Sequence, residues 1–87
     1  MTRKPHVRFY TRLGCHLCDE AKREIRLAGS FEDYTFEETD VDTDAGLVKR
    51  FGMDVPVMTI DEVVVFKHRL TAQEFIRQLR NFSERCH

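Results

Sequence analysis

Thr11-Arg12-Leu13-Gly14-Cys15-His16-Leu17-Cys18-Asp19 decides the reading of this chain. An apolar, β-rich run, Val7-Arg8-Phe9-Tyr10-Thr11, leads into it, with Val7 and Phe9 alternating against Arg8 and Tyr10. That alternation predicts a strand. Gly14 permits a tight turn, and a helical pattern leaves on the far side. Leu17, Ala21, Ile25 and Ala28 recur at helical spacing, so the first helix is expected from Cys15 or His16 to Ala28, with Gly29 as its stop. Asp19 and Glu20 come early in it and Lys22, Arg23 and Arg26 later, an order that complements the helix dipole. Two cysteines one helical turn apart at a helix start can approach closely enough to form a disulfide. The first then meets the open N–H groups of the helix, which favour a thiolate, the nucleophile of disulfide exchange. The two nearby acids oppose this unless they point to solvent, where screening weakens them. A lone Cys-x-x-Cys says little; one that follows a strand and opens a helix says much more.

Outward from this stretch, Tyr34 to Val41 reads as a second strand with Tyr34 and Phe36 on one face, which makes a parallel β-α-β unit. Asp40, Asp42 and Asp44 lack the glycine and terminal glutamate of a calcium loop and read as a solvated loop leading to a helix cap. Thr43 or Asp44 caps a short helix through Phe51, with Leu47, Val48 and Phe51 inward and Gly52 ending it. Val57-Met58-Thr59-Ile60 and Val63-Val64-Val65-Phe66 form a hairpin about Asp61-Glu62, a poor pair for a type I′ turn. The continuous Val run predicts a strand covered on both faces. Pro56 opens the third strand without an N–H to give, and a cis Val55–Pro56 bond is predicted there. Thr71-Ala72-Gln73-Glu74 is a capping box, with Leu70 and Phe75 as its staple. Phe75, Ile76, Leu79 and Phe82 form the buried stripe of a last helix expected to fray near Ser83. Met1 to His6 reads as a loose lead-in.

The 87 residues suffice for one small domain, residues 1–87, and 41% hydrophobic content with seven Phe can fill its core. Acids and bases nearly cancel to a formal net charge of -1, so no basic patch points to nucleic acid. Arg3-Lys4 is followed by Pro5-His6-Val7-Arg8, not by an apolar run. The expectation is a cytoplasmic protein without a signal peptide or membrane span, and a monomer. In that reducing compartment the cysteine pair is catalytic or metal-binding rather than structural. The third cysteine, Cys86, lies one residue from the end and reads as a free thiol on a frayed tail.

The order β-α-β-α-β-β-α, with Cys15-His16-Leu17-Cys18 at the first helix and Val55-Pro56-Val57 before the third strand, resembles the thioredoxin fold. Phe9-Tyr10-Thr11 and Phe51-Gly52-Met53 add to the likeness. At this length the chain looks most like a glutaredoxin-like member of that superfamily, over roughly residues 7 to 82. The resemblance implies an α/β fold: a four-stranded mixed sheet of order 2-1-3-4 with helices on both faces. It also implies a thiol–disulfide oxidoreductase acting on protein or small-molecule disulfides, with Cys15 as nucleophile and Cys18 as resolving thiol. Pro56 would face the pair, leaving the backbone of Val55 to an extended substrate. Arg12 reads either as support for a thiolate or a glutathione carboxylate, or as a solvated loop residue. His16 reads either as a cation beside the nucleophile or as an exposed neutral ring; for His68 a solvated loop residue is set against an anion ligand.

Three departures from the glutaredoxin pattern stand out. His16-Leu17 replaces Pro and an aromatic residue, Asp54 stands where Thr usually precedes Val-Pro, and Lys67-His68-Arg69-Leu70-Thr71 lacks the Gly-Gly turn that helps hold glutathione. Weak glutathione binding is therefore expected, and the electron donor is either glutathione or a thioredoxin-reductase-type protein. No resident cofactor or metal is expected. The competing class is a metal or iron–sulfur module, for which Cys15, Cys18, Cys86 and His87 would make four zinc ligands; a redox-inert interaction domain is the third.

Overall fold

Strand β1, His6–Thr11, is the backbone against which the site is built. In the computed structural model, which describes residues 4–29 and 34–85, it lies inside a four-stranded sheet of order β2-β1-β3-β4. β2, Thr35–Asp40, pairs parallel to it with Val7 opposite Phe36. β3, Val57–Ile60, pairs antiparallel with Phe9 opposite Met58, and β4, Val63–Lys67, closes the sheet antiparallel to β3. Side chains alternate across a strand, and here each face finds its own cover. Val7, Phe9, Met58 and Ile60 pack with Ala21 and Ala28 of α1, His16–Ala28, and with Phe75, Leu79 and Phe82 of α3, Ala72–Arg85. Tyr10 and Val57 face the other way, onto Val41 and onto Phe51 of α2, Ala45–Phe51. The Tyr10 and Phe51 rings lie 4.7 Å apart. This is the expected order and layering. Each large core side chain, Phe9 and Phe75 among them, contributes roughly 1.5–3 kcal/mol by leaving water.

The helix ends follow from their capping residues. Gly29, at φ 70°, turns its N–H back to the Arg26 carbonyl and ends α1. Asp44 caps α2 by accepting from the Gly46 N–H at 2.7 Å. Thr71 Oγ1 accepts from the Glu74 N–H at 3.2 Å, and Leu70 and Phe75 are both buried, so the staple forms. The return half of the capping box, from the Thr71 N–H to Glu74, does not form among the described residues: the Glu74 carboxylate takes Arg77 at 2.6 Å. The next donor, the Ala72 N–H, goes to Glu24 Oε1 of α1 at 3.0 Å.

Several expectations need correction. β4 is an edge strand, not one covered on both faces, with Val63 52% and Val64 38% exposed. An unbroken apolar run looks the same at an edge as at the centre of a sheet. Val48 is exposed, because so short a helix presents only Leu47 and Phe51 to the sheet. The lead-in is anchored from Pro5, which is buried and whose carbonyl accepts the Thr35 N–H at 3.0 Å. β2 stops at Asp40, and a buried Val41 opens a 3-10 turn whose other residues, Asp42 and Thr43, are exposed. α3 continues past Ser83 to Arg85. The hairpin does use left-handed residues, Asp61 at φ 49° and Glu62 at φ 70°, as a type I′ turn demands. Asp61 is held there from both sides: its carboxylate accepts the His6 N–H at 3.0 Å, and its own N–H donates to the His6 carbonyl at 2.9 Å.

Candidate active site

The C-terminal end of β1 and the start of β3 meet because Tyr10 pairs with Val57. The residues that follow Tyr10 therefore lie beside those that precede Val57. Gly14, at φ 76°, makes the turn out of β1, and Cys15 becomes the N-cap of α1 with extended backbone, φ −89° and ψ 110°. Its sulfur accepts the Cys18 N–H at 3.2 Å, so it sits over the open first turn of the helix. Cys15 is half-buried and Cys18 only 1% exposed, packed with Phe9 and Ala21; both are free thiols. Burial pushes the Cys18 thiol up, and its hydrogen bond with Cys15 pushes it the same way, against smaller opposing contributions from Thr11 and the Arg12 backbone. Asp19 and Glu20 are exposed, which removes the conflict their charges posed.

Across from the cysteines, Val55–Pro56 is cis, as predicted. Pro56 is buried and its carbonyl accepts the His68 N–H at 2.9 Å. Val55 is half-buried and, like Cys15, packs against the cluster that holds Cys18. Its N–H and C=O have no hydrogen-bond partner among the described residues. His16 is exposed beside Cys15, and its side chain makes no hydrogen bond or ion pair among the described residues.

Arg12 is committed within the protein. Its guanidinium reaches Asp42 through Nε at 3.1 Å and Nη2 at 3.1 Å, and Nη1 donates to the Gly52 carbonyl at 2.9 Å. It is a strut between the cysteine loop and the loop that carries Val55. Sequence reasoning did not assign that role, because Asp42 lies thirty residues away in the chain.

Two further carboxylates went unassigned. Asp54 holds Lys67 at 3.3 Å and His68 at 3.5 Å. Glu24 occupies the Ala72 N–H at the start of α3. Glu24, Leu17, His68 and Arg69 line a groove of about 450 Å³ between α1 and the turn before α3. The only sequence signal for either carboxylate was the unusual residue before Val55. Asp40, Asp42 and Asp44 serve as caps and as the Arg12 partner, and no group of three metal-ligating side chains forms among the described residues. Cys86 and His87, the other half of the zinc alternative, lie outside the described residues. No described helix is long and apolar enough to cross a membrane.

Comparison with solved structures defines the class first. A structural-genomics target protein from X. campestris superposes with a TM-score of 0.73 at 27% identity, over 86% of this chain and 96% of its own. Thioredoxin 1 from Thermosipho africanus gives a TM-score of 0.65 at 17% identity, over 91% of this chain and 94% of its own. The fold is that of thioredoxin. Residues 6–80 match the glutaredoxin-like domain family (DUF836), and the chain belongs to that family. A glutaredoxin-like protein of Dictyostelium discoideum is 42% identical over 72 residues, covering 75% of this chain; the match spans 66% of that relative's length.

Proposed function

We propose that this protein is a thiol–disulfide oxidoreductase in which Cys15 attacks and Cys18 resolves. The observation that carries the reading is the asymmetry of the pair: one half-exposed sulfur at the helix cap, and one buried a turn deeper with its proton held more tightly. Cys15 attacks a substrate disulfide as thiolate. One substrate sulfur leaves as thiolate and takes a proton from water, and the other stays bound to Cys15. Cys18 then loses its proton and attacks the Cys15 sulfur, the second substrate thiolate leaves, and the protein is left with a Cys15–Cys18 disulfide. Two electrons have passed to the substrate, and a dithiol donor restores the pair. The unpaired Val55 backbone suits an extended peptide segment bearing the disulfide.

Glutathione is the weaker of the two donors considered. Lys67 lies against Asp54 at 3.3 Å and Arg12 against Asp42 at 3.1 Å, so two of the cations near the site already meet carboxylates. The first N–H of α3 is taken by Glu24. A thioredoxin-reductase-type protein is the donor this arrangement favours, and a reducing cytoplasm is the compartment in which such a cycle runs. Turnover of a peptide disulfide, with dithiothreitol as electron source, tests the proposal. Wild-type protein should catalyse it, Cys15→Ser should be inactive, and Cys18→Ser should stall as a mixed disulfide. Full activity in Cys15→Ser would defeat it.

A further inference from the structure

Leu13 is 88% exposed and Met53 is 93% exposed, far beyond the other large apolar side chains near the cysteines. A single exposed leucine or methionine is unremarkable on a small protein. Their placement is what matters. Leu13 follows Arg12 and Met53 follows Gly52, so they stand at the two ends of the Arg12 Nη1–Gly52 hydrogen bond of 2.9 Å. Leu13 is two residues before Cys15, and Met53 two residues before Val55. The attacking sulfur and the unpaired backbone thus share a rim with two projecting apolar side chains, held together by a guanidinium that Asp42 also fixes. On the Val55 side the same rim carries Lys67 and His68, which lie against the Asp54 carboxylate at 3.3 and 3.5 Å.

We propose that Leu13 and Met53 form an apolar clamp that recognises polypeptide disulfides whose cysteine is flanked by bulky apolar residues. The proposal rests on the reading of Cys15 as nucleophile. A polypeptide fits better than a small thiol because the vacant N–H and C=O of Val55 call for a main chain to pair with. Met53 is unbranched and adapts to different apolar neighbours, so the clamp reads the class of side chain rather than one sequence.

The test uses two peptide disulfides of equal length, one with Leu and Phe beside the cysteine and one with Ser at both places. The readout is the ratio of kcat/KM for the two. Wild-type protein should prefer the apolar peptide by about tenfold, the effect of partly burying one such side chain. The double variant Leu13→Ser, Met53→Ser should bring the ratio near one, and Leu13→Met, Met53→Leu should restore it. A wild-type ratio near one, or an unchanged ratio in the double variant, overturns the clamp. Self-association of wild-type protein that the double variant loses would assign the patch to a second copy of the chain and also overturn it. Turnover of both peptides that survives Cys15→Ser would instead remove the underlying reading, and the clamp with it.

Discussion

Replacing Gly52 by alanine probes the join between the two loops of the site. Gly52 has ordinary right-handed backbone, φ −56° and ψ −32°, so conformational freedom is not why glycine stands there. Space is. A Cβ at this position would collide with the Val48 carbonyl oxygen, which accepts the Gly52 N–H at 2.8 Å, and would next meet Arg12 Nη2 at 3.2 Å. Backbone carbonyl cannot swing aside as a side chain can, so the loop carrying Met53 to Val55 must move away from α2. Overpacking of this kind costs about 1–3 kcal/mol. With total stability of about 5–15 kcal/mol, that is a large share. Urea denaturation followed by circular dichroism reads it: at an m-value of about 1–3 kcal/mol per molar, the midpoint should fall by about 1 M. Gly14→Ala is the contrast. No atom lies within 4 Å of its Cβ, and its φ of 76° predicts backbone strain of about 1–2 kcal/mol without a clash. The variants should also differ in peptide-disulfide turnover per folded molecule, since only Gly52→Ala pushes the Val55 loop. A Gly52→Ala midpoint within about 0.2 M of wild type would refute the steric reasoning.

Phe75→Ala removes a fully buried ring that Tyr34 meets edge-on at 5.4 Å, and should cost about 3–5 kcal/mol in a denaturant titration. Because burial raises the Cys18 thiol, the folded protein keeps a proton there that the unfolded chain releases near about pH 8.5. Reduced protein should therefore lose stability as pH rises from that value toward the folded one, and Cys18→Ala should flatten that part of the profile. Asp54→Asn frees Lys67 and His68 and should raise turnover with glutathione as donor, measured against an unchanged dithiothreitol concentration series.

Local chemistry made much of this molecule legible. Gly29, Thr71 and Asp44 announce helix ends through interactions within a few residues, and all three act as their types suggest. The cysteine pair declared its asymmetry the same way, since position on a helix turn decides which sulfur is capped and which is buried. What failed depended on distant neighbours. The Val63–Phe66 run carries no mark of being an edge, and Val48 lies outward only because α2 is too short to wrap the sheet. Arg12 was legible as a cation near the site but not as a strut, and Asp54 was visible as an odd residue without its partners, because Asp42, Gly52 and Lys67 come from other elements. Glu24 at the start of α3 could not be foreseen at all: nothing in a helix-face glutamate names the backbone N–H it will meet.

The central claim is the division of labour between Cys15 and Cys18. Limited alkylation of the reduced protein with iodoacetamide at neutral pH, with each site quantified by mass spectrometry, tests it most directly. The half-exposed Cys15 should label first and Cys18, buried and with its thiol pushed up, should lag well behind. Labelling at Cys18 that matches or outpaces Cys15 would contradict the account.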